Sequence, residues 1–429
     1  MADQTAPPKN DDSTVRILTL NAFLRPPGIK TNASDYKEHR VDFIIRHILP
    51  NYDIVSFQEL FAFMSERRRR LIRAAEALGF KYWYGSSTKS WLDLSIDGGL
   101  LTLSRYPIVA TDSVQFPRGK FSDWLCAKGA IYAKIQLPAS GTHLHLFTTH
   151  TQASYERVLT LRDPTARIRL KQFHLIHRFI MKKTLDRAPG EPIILQGDLN
   201  VDARVHDSAR SLTPQGLFST HSSKEYRAMM AVLSGDSAVV ESLIRSPTQR
   251  PTSLASASSS PRLASAVPPS STLGPSTETA VAGTKPSTAP LPFRDLVYDE
   301  LGYHPVTFGD IEFNDHGAFQ PKDLILTGLA EHASCQRLDY ALWVDPLPMP
   351  PIPKGTTTIS QPRYTVEPAK ASVVPLHTHE FGTSAVFTQI SDHYGVATTL
   401  HLVPVTDPPA VSSSSSSLSV PDQPTPQSI

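Results

Sequence analysis

The chain is short of several things, and each shortage removes a class of function. It has two cysteines, Cys126 and Cys335, in 429 residues. That is too few for a disulfide framework or a thiolate zinc cluster, and it fits a reducing compartment with both as small buried hydrophobes. No uninterrupted apolar run is long enough to span a bilayer, and the polar start MADQTAPPKNDDST has no apolar centre of the signal-peptide kind. The expected location is therefore cytoplasmic or peripheral to a membrane. Charge of one sign is also scarce: 42 Lys and Arg against 40 Asp and Glu leave a formal +2. So small an excess argues against nucleic acid as the main partner. Nor is there an HExxH pattern, which argues against a zincin.

Proline, by contrast, is plentiful at 37 residues, and it gathers with serine. Residues 245–292 and 404–429 are Ser/Pro-rich with almost no large apolar side chains, so they cannot bury enough surface to offset the entropy of ordering. Together with the polar leader 1–14 they are expected to be disordered. Residues 15–244 and 293–403 then form one interrupted catalytic domain, with a proline-dense loop at 345–362.

Inside that domain, short apolar runs end repeatedly at a polar residue. Residues 15–20 (VRILTL) end at Asn21, 53–58 at Glu59, 144–149 at His150, and 193–196 at the Gly-Asp-Leu-Asn turn carrying Asp198 and Asn200. Further strands are expected at 98–107, 129–137, 338–344, which contains Asp339, and 395–402, just after the pair Asp392-His393. Residues 36–49 repeat Val41, Ile44, Ile45 and Ile48 at helical spacing, leaving Lys37, Glu38 and Arg46 to water, and 163–184 are amphipathic. A third helix at 65–78 carries Arg67 to Arg70, a run better read as a solvated face than as an anionic-lipid or phosphate contact. Strands alternating with helices, with β-only passages between, predict an α/β sandwich of layered sheets.

Taken alone, Gly-Asp-Leu-Asn is an ordinary turn string. Its company changes the reading. Carboxylates and amide oxygens with few nitrogens suit a hard cation, Mg²⁺ first and Mn²⁺ or Ca²⁺ as alternatives, and such an ion beside Glu59 would polarise a phosphoryl oxygen. Hydrolysis also needs a base near neutral pH. His393 suits that role, with Asp339 to fix its tautomer, while His150 and Asn200 would donate to the phosphate or the leaving oxygen.

Glu59 in SFQEL, Asp198 and Asn200 in GDLN, and Asp392-His393 in SDH, in this order, resemble the endonuclease/exonuclease/phosphatase superfamily. The resemblance implies a four-layer α/β/β/α sandwich with two central mixed sheets and the site at one end. It also implies Glu59, Asn21, Asp198 and Asp392 as metal ligands or their immediate supports. Three segments are similar to the neutral sphingomyelinase branch: His150-Thr151-Gln152-Ala153, the DWLCAKG segment with Asp123 and Lys128 lining the site, and GGLLTLSRYPI. Without the resemblance, Asp123 and Lys128 would read equally well as a surface ion pair.

Other branches fit less well. Inositol polyphosphate phosphatases carry a Trp-Cys-Asp-Arg segment where this chain has Arg337-Leu338-Asp339, and abasic-site nucleases place an acid where Phe23 stands. The implied activity is a Mg²⁺-dependent phosphodiesterase of the phospholipase C type, acting on sphingomyelin or a related phospholipid at a membrane surface. A nuclease, an inositol phosphate phosphatase and a non-catalytic lipid-binding relative are the alternatives. Trp91 and Trp124 are candidates for membrane access, against the commoner fate of partial burial.

Overall fold

The computed structural model describes residues 13–30, 35–87, 95–138, 141–154, 160–206, 219–236, 238, 290–317, 319–323, 326, 334–350, 363–383 and 385–405. Nearly all of the expected leader, insertion and tail, most of the 345–362 loop, and Trp91 lie outside the described residues.

In chain order the strands are β1 (Thr14–Leu24), β2 (Ile54–Leu60), β3 (Tyr82–Gly85), β4 (Leu101–Ser104), β5 (Ile108–Gln115), β6 (Gly129–Gln136), β7 (His143–His150), β8 (Ile193–Asp198), β9 (Arg294–Asp295), β10 (Ile311–Phe313), β11 (Phe319–Pro321), β12 (Asp339–Val344), β13 (Tyr364–Val374) and β14 (Gly395–Pro404). The helices are α1 (Lys37–Phe43), α2 (Arg67–Ala77), α3 (Pro164–Thr184), α4 (Lys224–Ser234) and α5 (Leu296–Leu301). Two six-stranded sheets result, ordered β13-β14-β1-β2-β4-β3 and β5-β6-β7-β8-β12-β9. Each is mixed: β1–β2 and β7–β8 run parallel, whereas β1–β14 and β8–β12 run antiparallel. β9 and β12 complete a sheet begun by β5 to β8, so chain from both sides of the Ser/Pro-rich stretch builds one structure. Leu291, within the expected insertion, is buried against the α3–α4 layer.

Alternation along the strands makes four layers. Leu18, Leu20, Val55 and Phe57 face outward and pack with Phe43, Ile44 and Leu71 of the α1–α2 layer. On the second sheet Phe147, Leu195, Tyr340 and Leu342 face outward onto Phe173, Ile176 and Met229 of α3 and α4. Between the sheets Val15, Ile17 and Ile54 meet Leu144, Leu146, Ile194 and Trp343.

That inner layer changes character along its length. In strand order its residues run Val15, Ile17, Thr19, Asn21 on β1 and Leu144, Leu146, Thr148, His150 on β7. β8 gives Ile194, Gln196, Asp198, and β12, read backwards, gives Trp343, Ala341, Asp339. A hydroxyl belt marks the change, with Thr148 Oγ1 lying 2.9 Å from Ser56 Oγ and 3.3 Å from Thr102 Oγ1 across the sheets. One end of the sandwich is hydrocarbon and the other is ionisable.

One expectation needs correcting. Arg67 and Arg68 are buried and do not form a solvated face with Arg69 and Arg70. Arg67 donates to the Arg25 carbonyl at 2.8 Å and to Glu38 at 3.2 Å, and Arg68 lies 3.6 Å from Asp97. Acids and carbonyls from neighbouring loops supply the partners that let these guanidiniums leave water.

Candidate active site

Strand register sets the first half of the site. His150 stands opposite Asp198 in the β7–β8 ladder, and Asp198 stands opposite Asp339 in the β8–β12 ladder, so three ionisable groups sit abreast. Gly197 makes this approach possible. It has φ 134°, and a Cβ there would lie 2.2 Å from the Thr149 carbonyl oxygen. Beyond it the chain turns at Asn200 (φ 50°), whose N–H donates to Asp198 Oδ1 at 2.9 Å and whose side-chain amide donates to the Thr151 carbonyl at 3.0 Å.

The facing sheet supplies the other half. Asn21 Nδ2 donates to Asp198 Oδ2 at 2.9 Å and to Glu59 Oε1 at 3.1 Å, and lies 3.4 Å from His393 Nε2. Strict alternation would send Glu59 outward with Val55 and Phe57. Its left-handed backbone (φ 53°) turns it into the cleft instead, a conformation stored at functional positions more often than elsewhere.

His393 Nδ1 lies 2.8 Å from Asp339 Oδ2, and its Nε2 faces Asp198 Oδ2 at 3.8 Å. Burial by itself would lower the imidazole pKa, but Asp339, Asp198 and Asp392 outweigh it and hold the group well above its ordinary value. His150 goes the other way. Burial, Lys128 and His393 together hold it neutral, well below its ordinary value. Burial likewise pushes Asp198 up to about 6, with Asp339 adding to the rise and His393 opposing it.

Asp123 and Lys128 are not a surface pair. Both are buried, 2.9 Å apart, and Lys128 Nζ donates to the Thr151 carbonyl at 2.7 Å and approaches His150 Nε2 at 3.0 Å. With Nε2 engaged by an ammonium, His150 must carry its proton on Nδ1, a buried atom without a hydrogen-bond partner. Oδ1 of Asp339 is buried and unpartnered as well.

Two groups of donor atoms converge closely enough for a cation, Glu59 with His150 and Asp198, and Asp198 with Asp339 and His393. Three carboxylates crowded into a largely buried cleft, two orphaned polar atoms and a carboxyl raised by burial fit a divalent ion. Asn21 presents its amide nitrogen between Glu59 and Asp198, while its oxygen accepts the Phe23 N–H at 3.1 Å. Asp392 belongs to neither donor group. Its carboxylate accepts from Ser391 Oγ at 3.2 Å.

Sequence reasoning passed over several supports. Arg40 is fully buried and donates to the carbonyls of Asp35, Ala22, Phe23 and Ile390 at 2.7–2.9 Å, tying the chain after Asn21 to the chain before Asp392. Its signal was present, since it lies four residues before Ile44 on the apolar face of the helix. Ser391 Oγ donates to the Asn21 carbonyl at 2.6 Å, and Thr307 Oγ1 accepts the Leu338 and Asp339 N–H groups. Phe308 packs against the His393 ring at 4.8 Å. Nothing in the local sequence marked these three.

Comparison with known proteins bears on the family and the fold. The sequence profile of the Endonuclease/Exonuclease/phosphatase family matches residues 18–393. A sphingomyelinase of Dictyostelium discoideum is 31% identical over 417 residues, covering 88% of this chain and 77% of that protein. Sphingomyelinase C of Listeria ivanovii is 30% identical over 196 residues, covering 44% of this chain and 56% of that protein. Among solved structures, the beta toxin of Staphylococcus aureus shares the fold with TM-score 0.50 at 18% identity, covering 90% of this chain and 99% of that one.

Proposed function

We propose, starting from the fact that this chain belongs to the endonuclease/exonuclease/phosphatase family, that it is a Mg²⁺-dependent phospholipase C-type phosphodiesterase hydrolysing sphingomyelin to ceramide and phosphocholine. The observation that carries the chemistry is the Asp339–His393 pair, aimed at the cleft where Glu59, Asp198 and Asn21 meet. What favours sphingomyelin among phosphodiesters is the likeness to sphingomyelinases of Dictyostelium discoideum and Listeria ivanovii, together with the buried Asp123–Lys128–His150 chain.

Glu59 and Asp198 would hold the cation, with Asn21 beside them and Asp392 in support. When bound, it would polarise the phosphoryl oxygens, and its charge would offset the carboxylates that raise the His393 pKa. The neutral His393 takes a proton from water at Nε2 as that water attacks phosphorus in line with the departing ceramide oxygen. Asp339 fixes the ring with Nδ1 as donor and stabilises the imidazolium. His150 hydrogen-bonds from Nδ1 to the phosphate or the leaving oxygen, Asn200 donates to the same group, and Lys128 places a positive charge behind it. The departing ceramide oxygen takes its proton from solvent as His393 gives up to solvent the one it took. The polar belt around Thr148 and the apolar layer beneath it close the floor of the cleft.

The test is phosphocholine release from sphingomyelin vesicles with Mg²⁺ present, chelated by EDTA and restored, run beside lysophospholipid, abasic DNA and inositol phosphates. Sphingomyelin should be the preferred substrate, with turnover lost and regained with the metal. Faster cleavage of DNA or of inositol phosphates would overturn the substrate, and near-normal turnover by His393→Ala would overturn the base.

A further inference from the structure

The rim of the cleft carries apolar side chains that the fold leaves in water. Residues 117–125 (PRGKFSDWL) leave Phe121 68% exposed, Trp124 50% and Leu125 51%. Three adjacent large apolar groups on one short turn are unusual on a surface bathed only by water. Asp123, the single acid of this stretch, is turned inward to Lys128, so what faces out is apolar and cationic. Arg118 and Lys120 are exposed, and the Arg118 guanidinium lies 4.4 Å over the Trp124 ring.

The turn is also held in place. The Lys120 N–H donates to Gln152 Oε1 at 2.8 Å, and Gln152 Nε2 donates back to the Lys120 carbonyl at 3.3 Å. Leu125 accepts from the Ile96 N–H at 2.8 Å. The next residue, Asp97, accepts from the Ala62 and Phe63 N–H groups at 2.8 and 3.1 Å and so fixes the loop after Glu59, whose Met64 is 79% exposed. Two apolar tips are thus joined through residues 96–97 beside one catalytic carboxylate. Ile29, on the loop after Asn21, and Val386, on the approach to Asp392, are 48% and 58% exposed.

We infer that this rim, centred on Phe121, Trp124 and Leu125, is a docking surface for the interfacial layer of a phospholipid bilayer. Rigidly mounted aromatic and aliphatic tips flanked by Arg and Lys match that layer, where hydrocarbon lies a few ångströms below phosphate. No outward acid on residues 117–125 opposes anionic headgroups. The surface is continuous with the cleft through Asp123 and Lys128, so a docked membrane brings a lipid phosphodiester to His150. The inference rests on the lipid-substrate reading, and its test separates the two.

The full chain and a Phe121→Ser/Trp124→Ser variant are floated with phosphatidylcholine vesicles, with and without phosphatidylserine, in EDTA so that no lipid is turned over. Leu185→Ser, which removes a side chain 72% exposed at the far end of α3, is the control. The double variant should partition at least about tenfold less, since each aromatic transfer is worth a decade or more, and the control should float like the wild type. With Mg²⁺, the double variant should hydrolyse the water-soluble ester p-nitrophenyl phosphocholine within about twofold of wild type and lose turnover on vesicles of the same composition to which sphingomyelin is added. Wild-type flotation by the double variant would overturn the docking surface, as would a self-association lost in that variant with flotation unchanged. Flotation that depends on Phe121 and Trp124 in a protein that cleaves neither phosphocholine ester would leave docking standing and overturn the substrate.

Discussion

Replacing Asp339 by asparagine removes one charge from the site and almost no volume. In the folded protein Asp339 is 1% exposed and Oδ2 lies 2.8 Å from His393 Nδ1. Its backbone N–H stays on Thr307 Oγ1 at 3.2 Å, and its strand remains paired with β8, so the fold has no reason to change. What is lost is the attraction between a carboxylate and the imidazolium that forms as His393 takes a proton from water. At an effective dielectric near 20 and a charge separation of ~4 Å that attraction is about 4 kcal/mol, or roughly three decades in rate. An asparagine turned with its NH₂ toward the ring would also select the wrong tautomer, and the analogous change in a serine-protease triad costs about 10⁴. Steady-state kinetics on a soluble phosphocholine ester should show kcat reduced about 10³-fold with KM changed by less than about threefold. The melting temperature should stay within a few degrees, because the carboxylate pair Asp198–Asp339 loses a repulsion as the imidazole loses a partner. A kcat within tenfold of wild type would refute the pairing of Asp339 with the catalytic base, and a collapsed melting temperature would recast Asp339 as structural.

Two further changes test the scaffold. Arg40→Met should leave four buried carbonyls without their donor and cost about 3 kcal/mol or more, lowering the melting temperature by roughly 4 °C or more in calorimetry. An unchanged melt would refute the role of Arg40 in joining the loops that carry Asn21 and Asp392. At the opposite end of the second sheet, burial would raise the Glu191 carboxyl, but His145, the Ala188 N–H, His143 and Lys134 outweigh it and bring the pKa down to about 2 from 4.5. A depressed carboxylate stabilises the fold above its unfolded value and loses that contribution as pH falls from about 4.5 toward 2. The gap in melting temperature between wild type and Glu191→Gln should therefore narrow across that window. A constant gap would show that the carboxylate charge is not what His143 and His145 require.

Much of the site was legible because strand ends are local. The runs before Asn21, Glu59, His150 and Asp198 are short, apolar and β-branched, so their final polar residues announced themselves, and structure puts those four groups together. A layered α/β sandwich followed from alternating strands and helices, the four-layer α/β/β/α order came with the family resemblance, and two mixed sheets covered by helices are what formed. Other elements had no such signal. Strand β5 keeps one exposed face and reads as loop, while β13 contains Pro368 and a register shift, so neither was expected.

The order of polar residues along the chain was enough to name the groups that converge in the cleft, because a strand that alternates apolar residues and then stops on an acid or imidazole carries that information in itself. Their pairing was not available from order. Asp339 reaches His393 because β12 lies beside β8, and Asn21 reaches Asp198 because two sheets stack face to face. The burial of Arg67, Arg68 and the Asp123–Lys128 pair depends equally on acids and carbonyls arriving from distant segments. Composition fixes whether a charge can be buried at all, and only tertiary structure supplies the partner that makes burial tolerable.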